Sequence, residues 1–229
     1  MSETTFNQLF SLPDEITQSD VFREAMTHRS AAKKNNERLE FLGDAVLGLT
    51  MSRLLFERFP ECNEGDLSRL RAHLVCKRAL AEIAKDHDLS QVILLGAGER
   101  KTGGHKRDSI LADAVEAAIA AVYLLKDFDY AFEFVRRIYM QQLENLPAIQ
   151  SLKDPKTRLQ EHLQGLQIAV PDYETLSERG DANDKTFHIE CTIPKLNLRT
   201  ESEGKSKKKA EQSAAALMLE QLLLEASSK

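Results

Sequence analysis

Residues 36–47 read Asn36-Glu37-Arg38-Leu39-Glu40-Phe41-Leu42-Gly43-Asp44-Ala45-Val46-Leu47. The apolar positions have the period of a helix. At about 100° per residue, Glu37, Glu40 and Asp44 fall within an arc of roughly 60°. Leu39, Leu42, Val46 and Leu49 lie broadly opposite. One side can therefore face a core while the other presents carboxylates. Clustered carboxylates repel one another, so burying them together requires compensation. A divalent cation such as Mg²⁺ supplies it, taking oxygen ligands while keeping several waters. On spacing alone, a solvated acidic helix face is the simpler account.

A second acidic pair shifts that balance. Lys106-Arg107-Asp108-Ser109-Ile110-Leu111-Ala112-Asp113-Ala114-Val115-Glu116-Ala117-Ala118 opens another helical stretch. Asp113 and Glu116 stand at i,i+3 and share a face. Their neighbours are Ala, Ile, Leu and Val, as in a packed helix. Carboxylates inside an apolar segment are more informative than carboxylates on a charged surface.

The 36–47 stretch resembles the signature of ribonuclease III, and the stretch around 107–117 resembles that family's second motif. The likeness is to the bacterial form with a single nuclease domain, and it extends over nearly all 229 residues. It implies an all-α nuclease and dimerisation domain over residues 1–147. Glu40, Asp44, Asp113 and Glu116 would form a Mg²⁺ site there, with Mn²⁺ a plausible substitute. Asp44 and Glu116 would be the catalytic members, Glu116 being the one tied most closely to cleavage. Glu64 is implied in a supporting role. Glu37 faces the same side as Glu40 and supports the metal site or a subunit contact. The resemblance also implies a homodimer cutting both strands of double-stranded RNA, leaving 5′-phosphate and 3′-hydroxyl ends with short 3′ overhangs. Phe41 resembles the family's aromatic interface residue, and its angle lies nearer the acidic arc than the Leu39/Leu42 side. The cellular work implied is processing of ribosomal RNA precursors and maturation or decay of structured messages.

Composition sets the outer bounds. An apolar fraction of 42% supports packed cores, and the length suits one large domain or two smaller ones. There is no apolar run long enough for a membrane span, and the first residues lack a targeting pattern. Cys62, Cys76 and Cys191 form neither a disulfide framework nor a zinc cluster. A cytoplasmic location with free thiols is the expectation. The net charge is −5. Residues 150–229 hold 12 Lys and Arg against 13 Asp and Glu, and the remainder 19 against 23. Neither part is basic, so nucleic-acid binding must rest on local patches.

Along the first domain, Ser19 or Asp20 can cap a helix beginning at Val21. Thr27-His28-Arg29-Ser30 resembles the family's short motif ahead of the acidic helix, with His28 read as a structural hydrogen-bonding residue. Asn36 can cap the signature helix, which ends near Phe59-Pro60. Gly43 inside that helix costs roughly 0.5–1 kcal/mol relative to alanine, which close packing or ligand approach would justify. A long helix begins at Asp66 or Ser68, with Arg69, Arg71, Lys77 and Arg78 as a basic flank. Another helix covers 79–89. Leu94 to Glu99 reads as a glycine-bearing loop, followed by Thr102-Gly103-Gly104-His105-Lys106-Arg107, whose glycines and charges suit phosphate. No P-loop pattern is present and no nucleotide cofactor is expected. Ser109 is a candidate cap for a helix over 110–125, whose many alanines predict close helix–helix approach. A final helix covers roughly 129–144.

Residues 148–153 read as a linker. The segment 154–225 then gives a helix over 155–163, strands over 170–178, 186–193 and 196–203, and a helix over 206–225. Ile189, Cys191 and Ile193 alternate with more polar positions. This α-β-β-β-α order places helices on one side of a small antiparallel sheet and resembles the double-stranded RNA-binding domain. Thr157, Gln160 and Glu161 would face a shallow minor groove. Asn183 and Lys185 lie in an interstrand loop. Lys205, Lys207 and Lys208 surround a helix start, where lysines and free N–H groups meet phosphates. Asn183 stands where the family usually carries histidine, and Ser202-Glu203-Gly204 keeps only the second glycine of the usual turn. Such domains read shape, phosphates and 2′-hydroxyls rather than sequence.

A cation bound at the acidic cluster would lower the pKa of a bound water and neutralise charge growing on phosphoryl oxygens. The six histidines are scattered, and none has the spacing of a local acid–base pair. Three other readings remain open at this point: a non-catalytic double-stranded RNA-binding protein, a helical phosphohydrolase acting on nucleotides, and a structural protein with solvated carboxylates.

Overall fold

A computed structural model describes residues 9–181 and 184–227. The chain divides into two compact units, Met1–Pro147 and Ala148–Lys229. No helix among the described residues is long and apolar enough to cross a membrane.

The first unit is all helical. Its elements are α1 (Asp14–Thr17), α2 (Asp20–Ala25), α3 (Glu37–Arg58), α4 (Glu64–Leu74), α5 (Lys77–Asp86), α6 (Ala97–Lys101), α7 (Asp108–Leu125), α8 (Phe128–Ile138) and α9 (Met140–Glu144). α7 is the axis of the core. Ala112, Ala114, Ala117, Ala118, Ala120 and Ala121 are all buried, and α2, α3, α5 and α8 pack on it. Small side chains let neighbouring backbones come close, and burial of the surrounding Leu, Ile, Val and Phe side chains drives the assembly. α3 buries Leu39 and Val46 as the sequence pattern predicts, but it also turns Leu47, Met51 and Leu55 inward, on the side of the acidic arc, and leaves Leu49 59% exposed. Helices pack on more than one side of α3, which a single apolar face does not anticipate. The helix stops at Arg58 before Phe59-Pro60.

Local chemistry sets the helix ends. The Ser19 hydroxyl accepts from Phe22 N–H and caps α2. The Asn63 side chain accepts from Asp66 N–H, so α4 begins at Glu64 rather than at Asp66 or Ser68. Asn36 does not cap α3 with its side chain. Asn35 Oδ1 accepts from Glu37 N–H instead, while Asn36 is buried and its own N–H donates to the Thr27 carbonyl. Ser109 lies inside α7 rather than at its cap, since the helix starts at Asp108. Ala97–Lys101 closes a helical turn where a loop was expected. The expected 129–144 helix divides at Tyr139, whose ring turns inward so that its hydroxyl donates to the Leu74 carbonyl.

The second unit holds α10 (Ile149–Leu152), α11 (Pro155–Gly165), β1 (Asp172–Arg179), β2 (Thr186–Ile193), β3 (Leu198–Gly204) and α12 (Lys207–Ser227). The sheet is antiparallel in the order β1-β2-β3. Ile189, Cys191 and Ile193 are buried in strict alternation, and the last two pack with Leu159, Leu163, Ala214, Ala215 and Met218. The residues expected to link the units include the helical turn α10, and Lys153 is buried in an ion pair with Glu161 at 2.7 Å. Asp154 caps α11 through Thr157 N–H and also accepts from Gln212 Nε2 at 2.8 Å, tying α11 to α12. The turn into α12 needs glycine at 204, because a methyl there would stand 2.6 Å from the Ala210 nitrogen.

Candidate active site

The acidic site is built where α3 lies against α7. At Gly43 the two backbones touch: a Cβ on this residue would stand 1.8 Å from the carbonyl oxygen of Glu116. This close approach accounts for the glycine inside the signature helix. It places Glu40, one turn earlier on α3, beside the Asp113–Glu116 face of α7. Ligand oxygens of Glu40, Asp113 and Glu116 all lie within 4.8 Å of one another, and the three residues are half-buried. Asp44 follows Gly43 on α3, is exposed, and falls outside that group.

The electrostatics follow from the crowding. Burial pushes the Glu116 carboxyl up from 4.5 to about 7, and the charges of Asp44, Asp113 and Glu40 push it the same way. Glu40 is also raised, by burial first and then by Asp113. Both shifts have the sign expected of carboxylates sharing a site. Lys77, the first residue of α5, opposes both shifts. Its Nζ stands 3.5 Å from Asp113 Oδ1. That oxygen is shut off from solvent and accepts no hydrogen bond among the described residues, so Lys77 is a charge neighbour rather than a hydrogen-bond donor. A solvent-shielded carboxylate oxygen beside two further carboxylates is the donor set of a hard divalent cation. The cluster is therefore capable of holding a metal.

Lys77 was expected on the basic flank of the preceding helix. The chain instead breaks at Val75–Cys76 and restarts at Lys77. Packing of α5 on α7 then carries this side chain to the cluster. Nothing in the local sequence signals that proximity.

A cleft of about 450 Å³ adjoins the cluster, lined among others by Glu37, Glu40, Arg107 and Asp113. Glu37 pairs with Arg29 at 3.4 Å, and Arg107 with Glu99 at 2.7 Å. His28 sits in a hydrogen-bond chain. Its Nδ1 accepts from Ser30 N–H and lies 2.8 Å from Ser30 Oγ, which in turn accepts from Gly96 N–H. Glu64 opens α4, where its carboxylate accepts from the Ser68 hydroxyl, and it does not belong to the three-carboxylate group. Phe41 is 82% exposed, and Leu49 and Phe56 on the same helix are exposed as well.

In the second unit, Thr157 and Gln160 lie on α11, with the Thr157 hydroxyl donating to Asp154 and Gln160 exposed. Glu161 is held by Lys153. Lys185 pairs with Glu178, and Lys205 with Asp184 at 2.6 Å. Lys207 and Lys208 project from the first turn of α12 and are exposed. Asn183 lies outside the described residues.

Known proteins of this pattern can now be set beside it. Residues 18–143 match the family described as Ribonuclease-III-like, and residues 155–222 match the double-stranded RNA binding motif. The chain is 48% identical over 203 residues to Ribonuclease 3 of Glaesserella parasuis, covering 89% of this chain and 91% of that protein. It is 50% identical over 198 residues to Ribonuclease 3 of Nitrosomonas europaea, covering 86% and 81%. A solved nuclease domain of ribonuclease III from Campylobacter jejuni is 38% identical, with a TM-score of 0.58, over 62% of this chain and 99% of that one. The all-α unit carrying the carboxylates is thus a ribonuclease III nuclease fold, the α+β unit is a double-stranded RNA-binding fold, and the chain belongs to the ribonuclease III family.

Proposed function

We propose that this protein is a magnesium-dependent endoribonuclease that cuts both strands of double-stranded RNA. Its products would be 5′-phosphate and 3′-hydroxyl ends, made in the cytoplasm from ribosomal RNA precursors and structured messages. The observation that carries this reading is the convergence of Glu40, Asp113 and Glu116 within 4.8 Å in a chain that also bears a double-stranded RNA binding motif. Residues 1–147 serve as catalytic and dimerisation domain, 154–225 bind the duplex, and 148–153 connect them.

Each residue has a part that its chemistry supports. Glu40, Asp113 and Glu116 hold the cation, joined by Asp44 from the adjoining turn position. A bound Mg²⁺, or Mn²⁺ in its place, supplies an acidified water and neutralises phosphoryl charge. Burial holds the Glu116 carboxyl up to about 7, and a bound cation would favour its ionised form. Asp44 lies close enough to raise Glu116, and it holds the solvent-facing side of the site. Glu37 keeps Arg29 beside Glu40, and Glu64 supports the site through the start of α4. Thr157, Gln160 and Glu161 meet the minor groove. Lys185, Lys205, Lys207 and Lys208 meet phosphates, and Asn183 is a further RNA contact. Phe41 lies between the two subunits of a homodimer.

The test is incubation of a long, uniform RNA duplex with the protein and Mg²⁺, beside Glu116→Ala. Cation-dependent double-strand cuts that vanish in the variant are expected. Duplex binding without cleavage, in Mn²⁺ as well, would make this a binding protein instead.

A further inference from the structure

The acidic cluster has a charge neighbour of its own. Lys77 Nζ lies 3.5 Å from Asp113 Oδ1, the carboxylate oxygen that neither solvent nor a hydrogen bond reaches. We infer that Lys77 is a tethered counter-cation that rests on Asp113 and is displaced when a divalent cation binds. It thereby sets the cation concentration at which the site fills. The inference rests on the metal-site reading above and deepens it.

Three features support exchange rather than permanent pairing. The separation exceeds the roughly 2.7–2.9 Å of a charge-assisted hydrogen bond, so little is lost when the ammonium leaves. The Lys77 side chain is 70% exposed, so it can swing into water on its flexible stem. A protonated lysine carries three donors and no acceptor, so it cannot ligate the incoming cation and only repels it. Arg29 and Arg107, which line the adjoining cleft, already have Glu37 at 3.4 Å and Glu99 at 2.7 Å as partners. Lys77 thus neutralises a site that would otherwise crowd three carboxylates, and competes for that same site with the metal.

The test is Mn²⁺ binding to the full chain without RNA, read from the paramagnetic signal of free Mn²⁺. Lys77→Gln is compared with Arg78→Gln. Arg78 is the next residue along, in a separate cleft with His73 and Glu82, and its loss changes net charge equally. Lys77→Gln should bind Mn²⁺ about threefold to tenfold more tightly, the size of one nearby charge partly screened by water. Arg78→Gln should match wild type. Without cation, Lys77→Gln should melt below wild type, and saturating Mn²⁺ should raise its melting temperature by more than it raises that of wild type. Equal or weaker binding by Lys77→Gln overturns the role of Lys77, as does equal tightening in both variants. Absence of Mn²⁺ binding by wild type overturns the metal site itself, and the inference with it.

Discussion

Gly43 on α3 and Glu116 on α7 meet backbone to backbone, with room for a hydrogen and none for a methyl group. Gly43→Ala sets two effects against each other. Alanine improves helix propensity by about 1 kcal/mol. Its Cβ would stand 1.8 Å from the Glu116 carbonyl oxygen, which the two rigid helices relieve only by moving apart. Overpacking of this kind costs about 1–3 kcal/mol, so sterics win. The expected outcome is a lower urea midpoint together with weaker Mn²⁺ binding, because the shift separates Glu40 from Glu116. An unchanged midpoint would show that α3 and α7 do not approach this closely.

Glu116 should make the cation-free protein sensitive to pH. Its carboxyl rises from 4.5 to about 7 on folding, so the folded state holds this proton more tightly than the unfolded chain. The stabilisation is complete below pH 4.5, declines as pH rises, and is gone above about 7. With chelator present, wild type should lose stability between pH 5 and pH 8. Glu116→Gln should be flatter across that window. Because loading expels the proton, Mn²⁺ affinity should fall by up to about tenfold per unit as pH drops below 7. Parallel stability profiles for the two proteins would exclude this assignment.

Much of the site was legible because both acidic segments are helices whose periodicity fixes which carboxylates share a face. Asp113 and Glu116 share a face by i,i+3 geometry and stand in apolar company. Periodicity instead groups Glu40 with Glu37 and Asp44, and only the resemblance to ribonuclease III joins Glu40 to the pair on the second helix. The cost of Gly43 pointed to close packing, although the sequence could not say that Glu116 itself is the neighbour. Lys77 was illegible for a tertiary reason. Its position depends on a helix break at Val75–Cys76 and on how α5 docks against α7, and neither leaves a local pattern. Capping was ambiguous where two candidates are adjacent. Asn35 and Asn36 have the same chemistry, and burial of Asn36 beneath the Thr27 carbonyl decides between them. In the second unit, the alternation of Ile189, Cys191 and Ile193 fixed the inner face of β2. The ion pairs that occupy Lys185 and Lys205 join residues too far apart in sequence to be paired in advance.

Those ion pairs rank the lysines for RNA binding. Lys185 and Lys205 must leave Glu178 and Asp184 before meeting a phosphate. Lys207 and Lys208 have no acidic partner among the described residues, and they stand at the positive end of α12. Lys207→Ala with Lys208→Ala should therefore weaken duplex binding more than Lys185→Ala with Lys205→Ala. It should also flatten the plot of log affinity against log salt by about 1 per lysine lost. Titration of a labelled duplex at several salt concentrations checks both. The reverse ranking would mean that the loop lysines, not the helix start, carry the phosphate contacts.

Phe41 separates folding from assembly. A ring that is 82% exposed adds little to its own subunit, and such surface positions usually change stability by no more than about 0.5 kcal/mol. Leu49 and Phe56, exposed at 59% and 71%, fall within an arc of about 80° of it on α3. Three large apolar side chains along one helix edge form a patch that water disfavours and a second subunit would cover. Phe41→Glu should keep the urea midpoint of an isolated subunit while placing a charge in that contact. Sedimentation at micromolar concentration should then give a dimer for wild type and a monomer for the variant. A dimeric Phe41→Glu would remove this ring from the interface. An unfolded one would mean that the ring packs inside its own subunit, against its exposure.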